Sequence, residues 1–185
     1  MENFTGAIGD PRIDKEKEKD FLHEEIASAT FIEWKEKKEW KTYPKFYQYY
    51  TSECVAQSTT KFLGIKEFLQ NGIFKILSSA FFYFFRSNSP EGGMNKDDAG
   101  KISITKGSCL ADKLTQRKRE TEKEIKPTQA MIDEALEFKG RAYVTLKNIS
   151  IDSIAQIIEE QGACLVWFWF DEKGKEWWKI TPEIK

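Results

Sequence analysis

From residue 52 the apolar and polar positions fall into a helical rhythm. Val55, Thr59, Phe62, Leu63 and Lys66 recur at three-to-four spacing, which predicts a helix opening near Ser52 with Thr51 or Ser52 as its N-cap. Gly72 interrupts the pattern, and a second apolar helix is expected around Ile73 to Arg86. "SNSPEGGMNKDDAGK" reads as a turn-rich connector, followed by a short helix from about Lys96 to Gly107. "ADKLTQRKRETEKEIKP" is laced with charge and closed by Pro127, and "TQAMIDEALEFKG" reads as a short helix between a Thr128 cap and a Gly140 stop. "RAYVTLKN" has the pattern of a strand, and "SIDSIAQIIEEQG" that of a capped helix ending at Gly162. In "ACLVWFWFDEKGKEWWKI" two apolar runs flank Asp171 to Gly174, a hairpin signal. Upstream, Phe21, Ile26, Phe31, Ile32 and Trp34 are unevenly spaced, so that part reads as mixed helix and extended chain, and Pro44 breaks an aromatic-rich entry segment. Helices come first and strands later, which is an α+β arrangement.

Size and charge narrow the function classes. A chain of 185 residues suits one domain or two small lobes. The expected organisation is a charged, irregular segment over 1–40, a helical lobe over 41–126 and a partial β lobe over 127–185. Net charge is -1, with signs mixed inside each run; this favours solvated helix faces and argues against nucleic acid or an anionic membrane as partner. The N-terminal stretch has no apolar core of a signal peptide. The most apolar window, "IFKILSSAFFYFF", includes Lys75 and is too short to span a bilayer. The expected location is therefore cytoplasmic or carried in a virion. Cys54, Cys109 and Cys164 are sparse and odd in number, which favours a reducing compartment over a disulfide framework. With no CxxC and a single histidine, His23, neither a zinc site nor any other metal or cofactor is expected.

Cys54 is the first candidate for chemistry. A cysteine acts as thiolate, and a helix N-terminus lowers its pKa through unpaired N–H groups and the positive end of the dipole. Gln48, six residues earlier, is placed to donate to an oxyanion across a turn. The competing reading is a small buried residue, the usual fate of a lone cysteine on a helix.

"QYYTSECVAQS" resembles the Gln-x5-Cys-x-Ala segment of papain-like cysteine peptidases in their bacterial and phage forms. Weaker matches follow in family order: "ILSSAFFYFFR" resembles the Leu-Ser segment, and "PEGGM" resembles the Gly-Gly loop that binds substrate backbone. "DAGKISITKGSC" is similar to the helix that carries the family's alanine. "RAYVTLKN" through "CLVWFWF" is similar to the strand, helix and strand before the catalytic histidine. The resemblance spans roughly residues 40 to 170. It implies a papain-like fold, a helical lobe followed by an incomplete antiparallel β lobe, and it implies roles. Cys54 would be the nucleophile and Gln48 the oxyanion donor; Gly92 and Gly93 would offer backbone to an extended peptide, and Met94 would line an apolar pocket.

The chain also departs from the family pattern. No histidine follows Cys54, and the sole histidine, His23, precedes it in a charged stretch that reads as surface. Thiol peptidases need a general base within hydrogen-bond reach. The chain reaches Lys185 about where the histidine-bearing strand is expected to begin. Neither Asn71 nor Asn148 falls where the family's asparagine belongs. Glu53 stands where a serine usually precedes the nucleophile, and a carboxylate there is expected to raise the thiol pKa. Thr51 stands nearest the position of an upstream family cysteine.

Two functions follow from this reading. One is a peptidase or amidase fragment cutting peptide bonds through Cys54, its histidine supplied from outside the chain and the chain inactive alone. The other is a non-catalytic papain-fold module that binds peptides or builds structure, as in a phage particle. A peptide or protein is the expected partner in either case. The aromatic density of "LVWFWF" and "EWWKI" reads as core strands, or as the open edge of a lobe that a second chain completes.

Overall fold

A computed structural model describes residues 7–8, 42–146 and 150–166. Among the described residues the longest element is helix α1, Cys54–Asn71. Val55, Ala56, Thr59, Thr60, Leu63 and Gly64 are buried along it, forming two adjacent rows of three at a spacing of four that turn a broad face to the core. The helix begins two residues later than the spacing predicts. Its N-cap is Glu53, not Thr51 or Ser52, and no side chain caps it. Gly72 ends it in the left-handed conformation, its N–H donating to the Phe68 carbonyl.

The expected helix over Ile73–Arg86 is a correction. Only Ser79–Phe84 is helical, as α2. Residues before it are extended because their backbone pairs elsewhere. Ser78 N donates to the Cys109 carbonyl at 2.8 Å, Ala111 N to the Ile76 carbonyl at 2.9 Å, and Leu77 bridges Leu110 antiparallel. Ser78 then caps α2, its side chain accepting from Phe81 N.

Strand β2, Met94–Asn95, pairs in parallel with β1, Ala7–Ile8, and among the described residues these form the one sheet larger than an isolated bridge. Helix α3, Lys96–Thr105, follows at once, capped by the Asn95 side chain, which accepts from Asp98 N at 2.7 Å. Helix α4, Gln129–Ala135, runs into a 3-10 turn, Leu136–Phe138, and has the expected Thr128 cap. Helix α5, Ile151–Gln161, has a Ser150–Ser153 capping box and ends at left-handed Gly162, as its sequence pattern implies. Of the expected strand over 141–148, the chain shows a single β-bridge residue, Thr145, and no continuous strand within 141–146. Residues 147–149, the hairpin around Asp171–Gly174, and His23 with most of the N-terminal segment lie outside the described residues.

Helix α2 is the wedge of the core. Phe82 and Tyr83 pack with Val55, Ala56, Leu63, Leu77, Met94, Ala99 and Ile102 on one side. Phe81 packs with Cys109, Leu114 and Ala135 on the other. The chain enters this second cluster through Gly107, which has φ +67 and lies against the α4 backbone. A Cβ there would sit 2.1 Å from the Ala135 carbonyl oxygen. Gly107→Ala is accordingly expected to cost about 2–4 kcal/mol, from left-handed strain plus overpacking against rigid backbone. Chemical denaturation of variant and parent measures it.

Candidate active site

The turn that delivers Cys54 is built by residues 47–53. Gln48 and Thr51 close it reciprocally: the Gln48 amide donates to the Thr51 carbonyl, and the Thr51 hydroxyl donates to the Gln48 carbonyl at 2.7 Å. Gln57, one turn into α1, reaches back to the Tyr47 carbonyl at 3.0 Å. Tyr49 is left-handed at φ 56, a conformation that costs an L side chain about 1–2 kcal/mol. That cost is met by a second strand of chain alongside. Tyr50 N donates to the Lys118 carbonyl, Glu120 N donates to the Tyr50 carbonyl, and the Gln116 amide donates to the Gln48 carbonyl. The Glu120 carboxylate accepts from Ser52 N at 2.7 Å.

The reason residues 116–120 lie there is Arg117. Glu53 is fully buried, and its carboxylate accepts from Arg117 Nε at 3.2 Å and from the Ser79 hydroxyl at 3.4 Å. Arg117 is also buried, and donates further to the Glu120 carboxylate and to the carbonyls of Glu120 and Glu122. Burial pushes the Glu53 carboxyl above its usual range, and Arg117 opposes that shift. Burial alone would lower Arg117, but Glu53, Glu120 and Glu124 together outweigh it and hold the guanidinium charged. The mixed-sign run over 111–127 is thus no solvated helix face. It is irregular chain that sends an arginine into the core.

Cys54 is half-buried at the first turn of α1 and packs against the cluster containing Met94. Burial raises its thiol pKa, and the backbone N–H groups of Val55 and Cys54 offset only part of this. The rise expected from Glu53 has another source, because that carboxylate is turned to Arg117 and Ser79. The Gly92–Gly93 loop comes up against Ser52, two residues before Cys54. A Cβ at Gly92 would lie 3.2 Å from Ser52 Oγ and 3.7 Å from Glu120 Oε1. Gly93 is left-handed at φ +86, and its N–H donates to the Tyr83 hydroxyl at 2.8 Å. Met94 is fully buried in the core cluster and not open to solvent. Asn71 is exposed and donates to Glu67, while Asn148 lies outside the described residues.

Residues chosen from sequence therefore gather: Gln48 in the turn before Cys54, Gly92 against Ser52, and Met94 in contact range of the Cys54 cluster. Sequence reasoning missed the charges beneath them. Glu53 and Arg117 are 64 residues apart, and no periodicity links them. Glu53 itself, the one charged residue in the turn before the helix, was the available signal. Among the described residues no group of three or more His, Cys, Asp or Glu side chains could hold a metal, and no helix is long and apolar enough to cross a membrane.

The chain is similar to the crystal structure of xylellain, a cysteine protease from Xylella fastidiosa, with a TM-score of 0.59 at 16% identity. The match covers 84% of this chain and 62% of xylellain, so less than two thirds of that protein is represented. No protein-family model matches the chain, and no curated protein matches it in sequence. The likeness supports a papain-like fold, and the mixed helical architecture with few strands suits the α+β class.

Removing the countercharge tests the buried pair. Arg117→Met leaves Glu53 buried opposite no cation and is expected to lose about 3–5 kcal/mol at neutral pH. The sign of its pH dependence follows from the raised carboxyl. Protonation of Glu53 relieves the penalty, so the gap to the parent narrows as pH falls through the elevated Glu53 titration. Urea melts of both proteins from neutral to mildly acidic pH read this out.

Proposed function

We propose that this protein is a papain-like cysteine peptidase or amidase component in which Cys54 attacks a peptide carbonyl, with Gln48 and the Cys54 N–H holding the oxyanion. The observation that carries this reading is the convergence of the Cys54 helix start, the Gln48 turn and the Gly92–Gly93 loop at one locus, on a fold similar to that of a cysteine protease. In acyl transfer the thiolate sulfur bonds to the carbonyl carbon, the carbonyl π electrons move to oxygen, and collapse expels the amine after it gains a proton. Water then releases the acid and restores the thiol. The proton carrier is a histidine from outside these residues, since none follows Cys54 in this chain. Gln48 has to exchange its bond to the Thr51 carbonyl for one to the substrate oxygen.

A specific observation favours a second reading, a non-catalytic peptide-binding module. Burial raises the Cys54 thiol, the opposite of what an activated nucleophile needs. Under this reading the Gly-Gly loop binds extended chain through backbone hydrogen bonds, and Cys54 is a packing residue.

Two measurements divide the readings. In the chain alone, iodoacetamide should modify Cys54 more slowly than free cysteine at neutral pH, with the rate climbing only above the ordinary cysteine range, as peptide mapping would show. Rapid labelling at neutral pH would mean the thiol is activated without help. For turnover, the 185-residue chain should hydrolyse a fluorogenic peptide amide no faster than Cys54→Ala does. Protein isolated from its native source should show turnover that iodoacetamide abolishes and that maps to Cys54. Absence of such turnover in the native preparation would leave the binding module.

A further inference from the structure

We infer that Tyr83 and Arg86 are positioning residues that pre-set the 87–93 loop as a rigid backbone cradle for an extended peptide; this rests on the peptide-site reading above. Ser87, Ser89, Pro90, Glu91 and Gly92 are all exposed, and an exposed turn of such composition is ordinarily loose. Here it is held from within. The Arg86 side chain is fully buried, and its guanidinium donates to three carbonyls: Glu91 at 2.9 Å, Tyr83 at 3.0 Å and Pro90 at 3.2 Å. Its charge is met by Glu124 at 2.7 Å.

The peptide unit joining Gly92 to Gly93 is held at both ends. The Asn88 amide donates to the Gly92 carbonyl at 3.2 Å, and Gly93 N donates to the Tyr83 hydroxyl at 2.8 Å. At the other end of the loop, Ser87 donates through both N and Oγ to Asp98 on α3, each at 2.9 Å. The Tyr83 ring cannot swing away. Arg86 lies over it at 3.8 Å, Arg117 lies 5.6 Å from its centroid, and burial in the core pushes the phenol up to about 12, so it stays a neutral hydroxyl. A fully buried guanidinium needs acceptors, and the ones Arg86 takes include the carbonyls of this loop, so the loop is fixed before any ligand arrives. A backbone that meets another backbone gains from this, because immobilising it beforehand removes an ordering cost from binding.

Tyr83→Phe removes the hydroxyl while keeping the ring and its stacking. Binding of a fluorescein-labelled tripeptide aldehyde, read by anisotropy, should weaken about three- to tenfold, the value of one buried hydrogen bond. Alkylation of Cys54 by iodoacetamide, which needs no cradle, should stay at the parental rate. Arg86→Lys keeps a cation near Glu124 but not the fork of donors, and should weaken the same peptide further, again without changing alkylation. Unchanged peptide affinity in both variants overturns the inference. So does a loss matched by an equal change in alkylation, which would mark a general disturbance of the fold. If the parent chain fails to bind the aldehyde while its alkylation and melting are normal, the peptide-site reading itself falls and the cradle with it.

Discussion

The geometry around Cys54 depends on one buried ion pair, Glu53 with Arg117. A carboxylate taken wholly out of water carries a desolvation cost of several kcal/mol, so it persists only where hydrogen bonds and a countercharge surround it. Arg117 supplies both, and in doing so draws residues 116–120 across the turn that precedes α1. From that position Glu120 takes the N–H of Ser52, and Gln116 takes the carbonyl of Gln48. A left-handed tyrosine and a helix start lacking a side-chain cap are tolerated in this turn because long-range bonds replace local ones.

The same interaction settles a contest over the thiol. A helix N-terminus stabilises a thiolate by a modest amount, and desolvation of the half-buried sulfur works against it. Had Glu53 been free beside Cys54, its charge would have added to the opposition. Arg117 and Ser79 absorb it, so burial is left as the largest influence and the backbone donors offset only part. Among the described residues the influences on the thiol are burial and two backbone N–H groups, and the helix start itself is in place. That separates architecture from activity: a fold similar to a cysteine protease at 16% identity speaks for the scaffold, while reactivity lies in groups around the sulfur.

Much of the local architecture was readable from residue order. Thr128, Ser150, Gly72 and Gly162 act as caps and stops where their chemistry implies, because capping involves neighbours within a few residues. Errors arose where partners were distant. The Ile73–Ser78 stretch is apolar enough for a helix, yet its backbone pairs with residues 109–111 and becomes extended. Helix α1 starts at Cys54 and not at Ser52, after a turn held by distant chain: Tyr50 pairs with Lys118 and Glu120, and Ser52 N donates to Glu120, 68 residues away.

By itself the sequence determined the order of helices after residue 54, the spacing of Gln48 and Cys54, and the absence of any histidine beyond Cys54. Those depend on covalent order and on contacts within one or two helical turns. Tertiary structure alone decided that a run of mixed charge would bury Arg117, that Glu53 would face it instead of the thiol, and that Gly92 would come to rest against Ser52. Hydrophobic period records which face of an element is buried, but it carries no information about which charges meet. Two ions inside a low-dielectric core must find each other wherever the chain places them, and only the folded chain does so.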